Sequence, residues 1–292
     1  MKGNMHILPH LPVLPEQIDM ARLFRSYGNA QRELARFAGL LSNVTYADIL
    51  LSPLLMQEAV LSSRIEGTMC TLDEVYETEA GEEATERQKH DTQEILNYRE
   101  ALRYGRDSLT ERGLTFGLLK EMHAILLQSV RGQNKQPGLV RTTQNWIGAR
   151  NCSIEEASYV PPAPETLDSY LDNWMAYTRT DDLDPLLKAG ILHAQFELIH
   201  PFNDGNGRIG RLFIPLYLTS AGLLDRPNFY LSEYLERHRD TYAGCLNRLH
   251  GNAPAWTEWL EFFLHAVESQ AKENSRRAES IKRLYSALRD RF

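Results

Sequence analysis

Twelve consecutive residues, His200-Pro-Phe-Asn-Asp-Gly-Asn-Gly-Arg-Ile-Gly-Arg211, bring together side chains that can move a proton, hold a cation and bind an anion. Proline pushes the residue before it out of the α region, so a helix must end near Ile199. Another begins near Gly207. Between them Gly205 and Gly207 permit backbone conformations closed to other residues, and successive N–H groups can converge on an anion at the positive end of the second helix. Arg208 and Arg211, three residues apart, fall on one face of its first turn. Two arginines oppose the helix dipole there, a cost that a strongly negative ligand offsets, and a polyphosphate is the natural candidate. Asp204 supplies the single carboxylate with which Mg²⁺ is usually held beside phosphate oxygens. His200 can take a proton from an attacking hydroxyl near neutral pH.

The elements that must position this string are helical. Apolar residues recur at helical spacing through most of the chain, and Gly, Pro, Ser and Asp stand where helices start and stop, so the expected fold is mainly α. Helices are predicted over about 16–41, 53–66, 85–106, 115–130, 165–178, 185–199, 207–221, 232–250 and from 255 to the end, with Ser52 and Pro53 as N-cap and first helical position of the second. One strand signal stands apart. Thr142–Ile147 and Ala157–Val160, before Pro161-Pro162, read as an isolated β-hairpin, a flap over 142–160. Two strands alone are marginal, so the flap's free edge must pack on helices or await another strand.

The net charge of −7, from 39 acids against 32 bases, sits in one place. Seven acids and no Lys or Arg occur from Asp73 to Glu86, which reads as a solvated loop, and the remaining 32 acids balance 32 bases. Nothing in this balance argues for binding nucleic acid. Cys70, Cys152 and Cys245 are far apart and form no C-x-x-C pair, which disfavours a disulfide framework or a thiolate metal cage. With no apolar run of membrane-spanning length and no signal-peptide core at the start, a soluble cytoplasmic protein is expected.

A second motif precedes the acidic run. Glu66 closes the helix PLLMQEAVLSSRIE, where a carboxylate opposes the dipole and calls for a cation, and Gly67 follows. Here the chain resembles a known family. HPFNDGNGRIGR matches the Fic-domain signature HPF-x-[D/E]-GNGR-x-x-R, and Ser62 through Gly67 match that family's inhibitory pattern [S/T]-x-x-x-E-[G/N]. The resemblance covers most of the chain, including an N-terminal region like that of bacterial members with a winged-helix extension. It implies a Fic-type helical core with one hairpin flap plus an N-terminal helical region. It divides the chain into 1–112, 113–265 and a helical extension at 266–292, which ends where relatives continue into the winged helix.

The activity so implied is transfer of AMP from ATP, with Mg²⁺, to a Ser, Thr or Tyr hydroxyl of a target protein. His200 would be the base and Asp204 the Mg²⁺ ligand. Gly205, Asn206, Gly207, Arg208, Ile209, Gly210 and Arg211 would bind the nucleotide, with Pro201 setting the loop's entry and Phe202 as a buried anchor. Relatives that transfer phosphate instead carry a bulkier residue where this chain keeps Gly207. Glu66 would pair with Arg211 as a brake, with Ser62 and Gly67 completing the inhibitory motif. Tyr242 resembles a position lining the adenine pocket in relatives, a core tyrosine being the alternative. The target would dock on the flap by adding a strand, although Trp146, Ile147 and Tyr159 read equally well as packing residues. Auto-AMPylation and a homodimer are further expectations. The rival functions are removal of AMP, another nucleotidyl or phosphoryl transfer, and a catalytically silent regulatory module. Glu197 and His200 also form an E-x-x-H pair, but the chain holds no second copy for a di-iron site, and Glu197 and His193 read as packing or supporting residues. His123 and His250 read as structural.

Overall fold

The computed structural model describes residues 8–13, 15–42, 52–128, 135–149, 152–250 and 254–289, with side chains to 284. The predicted helix end at Val130 and the loop residue Asn151 lie outside them. The molecule is built from helices: α1 (Met20–Ser42), α2 (Ser52–Ile65), α3 (Leu72–Glu79), α4 (Glu86–Arg112), α5 (Phe116–Leu126), α6 (Leu167–Tyr177), α7 (Pro185–Ile199), α8 (Asn206–Ser220), α9 (Ser232–Arg237), α10 (Arg239–Asn247) and α11 (Trp256–Arg289). One hydrophobic core runs through them, with Val60, Tyr98, Leu119, Phe196 and Phe263 all inside it.

Helix α7 is the axis of this core. Leu186 to Ile199 are all buried, so the helix is covered on every side. Gly190 lets α11 approach: a Cβ there would lie 2.8 Å from the Phe263 ring. Trp174 and Trp259 donate their indole N–H groups to the Leu192 and Gly190 carbonyls, so α6 and α11 are tied to α7 by polar as well as apolar contact. On the outside, α1 lies along α11. Arg22 pairs with Glu258 and Arg36 with Glu279, so both helices advance in the same direction.

Two expectations need correction. The acidic run is not all loop, because its first half folds as α3. Thr71 accepts the Glu74 N–H while the Glu74 carboxylate accepts the Thr71 N–H, a capping box that the spacing T-x-x-E spells out. Asp73 and Glu74 also suit the positive end of a helix, Val75 is fully buried, and Glu79 pairs with Arg99 of α4 at 3.1 Å. The hairpin over 142–160 is likewise not formed as two strands. Among the described residues it is reduced to one antiparallel bridge, Ile147 to Tyr159. The flanking residues spend their side chains on carbonyls elsewhere in the chain instead: Gln144 donates to Pro161 and Asn145 to Phe202. No helix among the described residues is long and apolar enough to cross a membrane.

Candidate active site

Helix α7 ends at Ile199, as Pro201 requires, and His200 turns the chain with a left-handed φ of +50°. The turn is braced from an unforeseen direction. Arg141 is 1% exposed, and its guanidinium donates to the carbonyls of His200 (2.9 Å) and Pro162 (2.6 Å), while its own N–H donates to Pro201. No spacing in the sequence marks it. Replacing it by Met leaves the His200 and Pro162 carbonyls without the guanidinium donor, so Arg141→Met should cost about 3 kcal/mol, read as a fall in the denaturant midpoint.

Below the turn, Phe202 is fully buried and stacks on His123 at 3.9 Å between ring centres. His123 Nδ1 accepts the Gly138 N–H, so its Nε2 carries the hydrogen and donates to the Asp204 carbonyl at 2.9 Å. The Asn206 side chain closes the loop on itself, accepting the Phe202 N–H and donating to the Phe202 carbonyl, both at 2.8 Å. Its amide oxygen and one of its two amide hydrogens are therefore committed to the fold. Gly205 sits at φ +76°, a conformation natural to glycine, and α8 starts directly after it. The first N–H groups of α8 have no carbonyl within the helix to bond.

The two arginines of that first turn differ. Arg208 is 4% exposed; it reaches the Asp204 carboxylate at 3.4 Å, and its Nε has no partner. A buried, half-satisfied guanidinium at a helix N-terminus is suited to an anion. Arg211 is satisfied by a different helix. Its Nε donates to the Ser62 hydroxyl (2.8 Å), and its Nη2 donates to the Ser62 carbonyl (3.0 Å) and to the Glu66 carboxylate (2.7 Å). Glu66 stands one residue beyond α2, where Gly67 at φ +97° ends the helix. Burial alone would raise its carboxyl, but Arg211, Arg208 and His200 outweigh that and hold it below the usual range.

Glu66, Gly207, Arg211, His200 and Tyr242 line one cavity of about 500 Å³, with Trp146 of the flap at its rim. His200 Nδ1 lies 3.2 Å from the Glu197 carbonyl, which can only accept, so the other ring nitrogen keeps its lone pair. Burial, aided by Arg141, pushes this imidazole down to about 4, so it is a neutral base at pH 7. Tyr242 is buried and lines the cavity, and its hydroxyl is hydrogen-bonded to buried His193 at 2.9 Å. Ile209, by contrast, is fully buried in the core, and Gly210 packs against Glu197 and His193. Neither is brought to the cavity wall.

Burial pushes His123 down to about 4 and His193 to about 3. Because unfolding returns both to about 6.5, the unfolded chain binds more protons once the pH drops below that value. Stability is fully present above pH 6.5 and should fall toward pH 4 by on the order of 3 kcal/mol per histidine, measurable as a fall in Tm on acidification.

Asp204 is 41% exposed, and no group of three potential metal-binding side chains occurs among the described residues. A lone, accessible carboxylate beside an anion site fits Mg²⁺ held largely by phosphate oxygens and water, not by a protein cage.

Known proteins are similar to this chain in sequence and fold. The Fic/DOC family N-terminal model matches residues 24–107, and the Fic/DOC family model matches 113–218. A protein adenylyltransferase Fic of Nematostella vectensis is 29% identical over 191 residues, 60% of this chain and 41% of its own. A probable protein adenylyltransferase of Aquifex aeolicus is 33% identical over 93 residues, 31% of this chain and 28% of its own. The matches thus span less than half the length of these relatives. Among solved structures, a Fic family protein from Desulfovibrio desulfuricans superposes with a TM-score of 0.67 at 22% identity, covering 91% of this chain and 76% of its own. A Fic-domain signalling protein from Bacteroides thetaiotaomicron gives 0.65 at 18% identity, covering 86% and 97%. Two family models, the helical fold and the loop between α7 and α8 agree, and the chain belongs to the Fic/DOC family.

Proposed function

We propose that the protein is a protein adenylyltransferase, transferring AMP from ATP to a side-chain hydroxyl of a target protein, in a form braked by Glu66. The observation that carries this reading is the pairing at Arg211. A buried guanidinium in the anion-binding end of α8 is bonded by a carboxylate from the residue that follows α2, at the place where a nucleotide's phosphate would otherwise sit.

In the reaction a hydroxyl oxygen attacks the α phosphorus as the bond to the β-phosphate oxygen breaks and pyrophosphate leaves. His200 accepts the hydroxyl proton on its free ring nitrogen. Gly207, the N–H groups opening α8, Arg208 and Arg211 receive the phosphates, so charge on the leaving group meets fixed donors and guanidinium groups. Asp204 would hold Mg²⁺, which supplies further neutralisation of phosphate charge. Arg141, His123 and the Asn206 amide keep the loop in place, so alignment of the base does not have to be recovered at each turnover. The half-exposed Trp146 and Ile147 at the cavity rim offer the target a docking edge, with the Ile147–Tyr159 bridge as the start of a strand addition.

The test is incubation of the Glu66→Gly variant with ATP, Mg²⁺ and lysate, followed by mass spectrometry. An AMP adduct that disappears in Glu66→Gly/His200→Ala is expected; no adduct on any protein, the enzyme itself included, would overturn the reading. Removal of AMP is the second reading, favoured by the partly open position of the Glu66 carboxylate on the cavity, from which it could hold a water. Loss of AMP from a pre-modified protein, with no transfer in the forward assay, would select it.

A further inference from the structure

Glu197 lies three residues before His200 and outside the motif, yet it lines the same cavity as His200, Gly207, Arg211 and Tyr242. It is 9% exposed, and its Oε1 is buried without a hydrogen-bond partner. Gly210 makes the room, since a Cβ there would overlap that oxygen. The Glu66 carboxylate is seated in the same manner over Gly207, whose Cβ would overlap Glu66 Oε1 and come within 2.9 Å of Arg211 Nη1. The two glycines are three residues apart on α8, so two carboxyl groups share the neighbourhood of one guanidinium. Of the two, Glu66 forms the hydrogen bond to it.

We propose that Glu197 is a nucleotide-contacting residue whose carboxyl donates a hydrogen bond to a phosphate oxygen of the triphosphate that displaces Glu66 beside Arg211. The proposal rests on ATP being the ligand of this site. Arg211 is hydrogen-bonded to Glu66, so the buried Glu197 carboxyl has no cation bonded to it, and burial disfavours its ionised form. Burial pushes the Glu197 carboxyl up to about 8, with Arg211 opposing and Glu66 adding to the rise. A phosphate in place of Glu66 keeps a negative neighbour, so the carboxyl keeps its proton and offers an O–H where an ionised group would repel the ligand.

The other titratable groups around this pair are Glu58 from α2, Tyr98 from α4, His193 and His200 on α7 itself, Arg208 on α8, Arg239 and Tyr242 from α10, and Asp204 in the loop. Burial holds the two histidines neutral at pH 7 and raises both tyrosines. Burial is the main cause that keeps the Glu197 carboxyl protonated, and Arg211 and the anion facing it shift that balance.

The test is calorimetry of α,β-methylene ATP with Mg²⁺ at pH 7.5, in buffers of different ionisation enthalpy. In Glu66→Gly the loss of the Glu66 charge lowers the Glu197 carboxyl, the arriving phosphate charge raises it again, and ligand binding should therefore take up protons. Glu66→Gly/Glu197→Gln should bind within about 3-fold of that affinity, because an amide also donates, with the uptake abolished. Any uptake by His200 would survive in both variants and so is subtracted. Glu66→Gly/Glu197→Ala should bind about 10-fold more weakly. Undiminished proton uptake with Gln, or undiminished affinity with Ala, would overturn the proposal while leaving the adenylyltransferase reading intact. Absence of ligand binding by Glu66→Gly itself would overturn both.

Discussion

Replacing Glu66 by glycine should raise AMP incorporation by roughly 10- to 100-fold over the wild type, on the strength of one charge-assisted hydrogen bond worth about 1.5–3 kcal/mol. The bond in question joins Arg211 Nη2 to Glu66 Oε1 at 2.7 Å, and it withdraws from the anion site its second guanidinium. The same carboxylate fills the space over Gly207, so its removal clears volume as well as charge. The fold should survive. Helix α2 is anchored by buried Glu58, which accepts from Tyr98 and from the backbone and hydroxyl of Ser232 at the start of α9. Release of the brake therefore concerns the exposed end of α2 and not its departure from the core. Since the Glu66 carboxyl is held below its usual range, its ion pair with Arg211 is present in full at neutral pH and should weaken only as acidification protonates it. Labelling with ATP radioactive at the α phosphate measures the effect, and equal incorporation by variant and wild type would remove the brake from the account.

His200→Ala, made in the Glu66→Gly background, should lower the rate by about 10²- to 10⁴-fold, the usual contribution of a positioned general base. Binding of ATP should change little, because Gly207, Arg208, Arg211 and the start of α8 are untouched. The imidazole's position near 4 fixes the pH behaviour. The neutral, proton-accepting form prevails above that value, so kcat/KM should be flat in its dependence on this group from pH 6 to 8 and fall as the pH drops toward 4. A variant that kept the parental rate would assign the proton transfer elsewhere. One that lost ATP affinity equally would make His200 a structural member of the loop.

Much of the site was legible because its signals are local. Proline before Phe202 stops α7, glycines at 205 and 207 open the anion turn, and Arg208 and Arg211 follow from helical periodicity. Each of these effects acts within a few residues. The T-x-x-E capping box at Thr71 was equally local, but the excess of acids over 73–86 obscured it. The flap failed as two strands for a less local reason: its polar side chains found carbonyls in 161–202, and those acceptors come from other parts of the chain.

The sequence by itself determined most of the helices, the position of the turn between α7 and α8, and the chemical types gathered there. Tertiary structure decided which of them are available. It committed the Asn206 amide to Phe202, sent Ile209 into the core, and set Arg141 under His200 from 59 residues away. It also brought Glu66 to Arg211 across 145 residues and left Glu197 unpaired beside them. The physical reason is burial. Whether a carboxyl in this site is a charge, a brake or a hydrogen-bond donor depends on which guanidinium it meets in the absence of water, and that meeting exists only once the helices have packed.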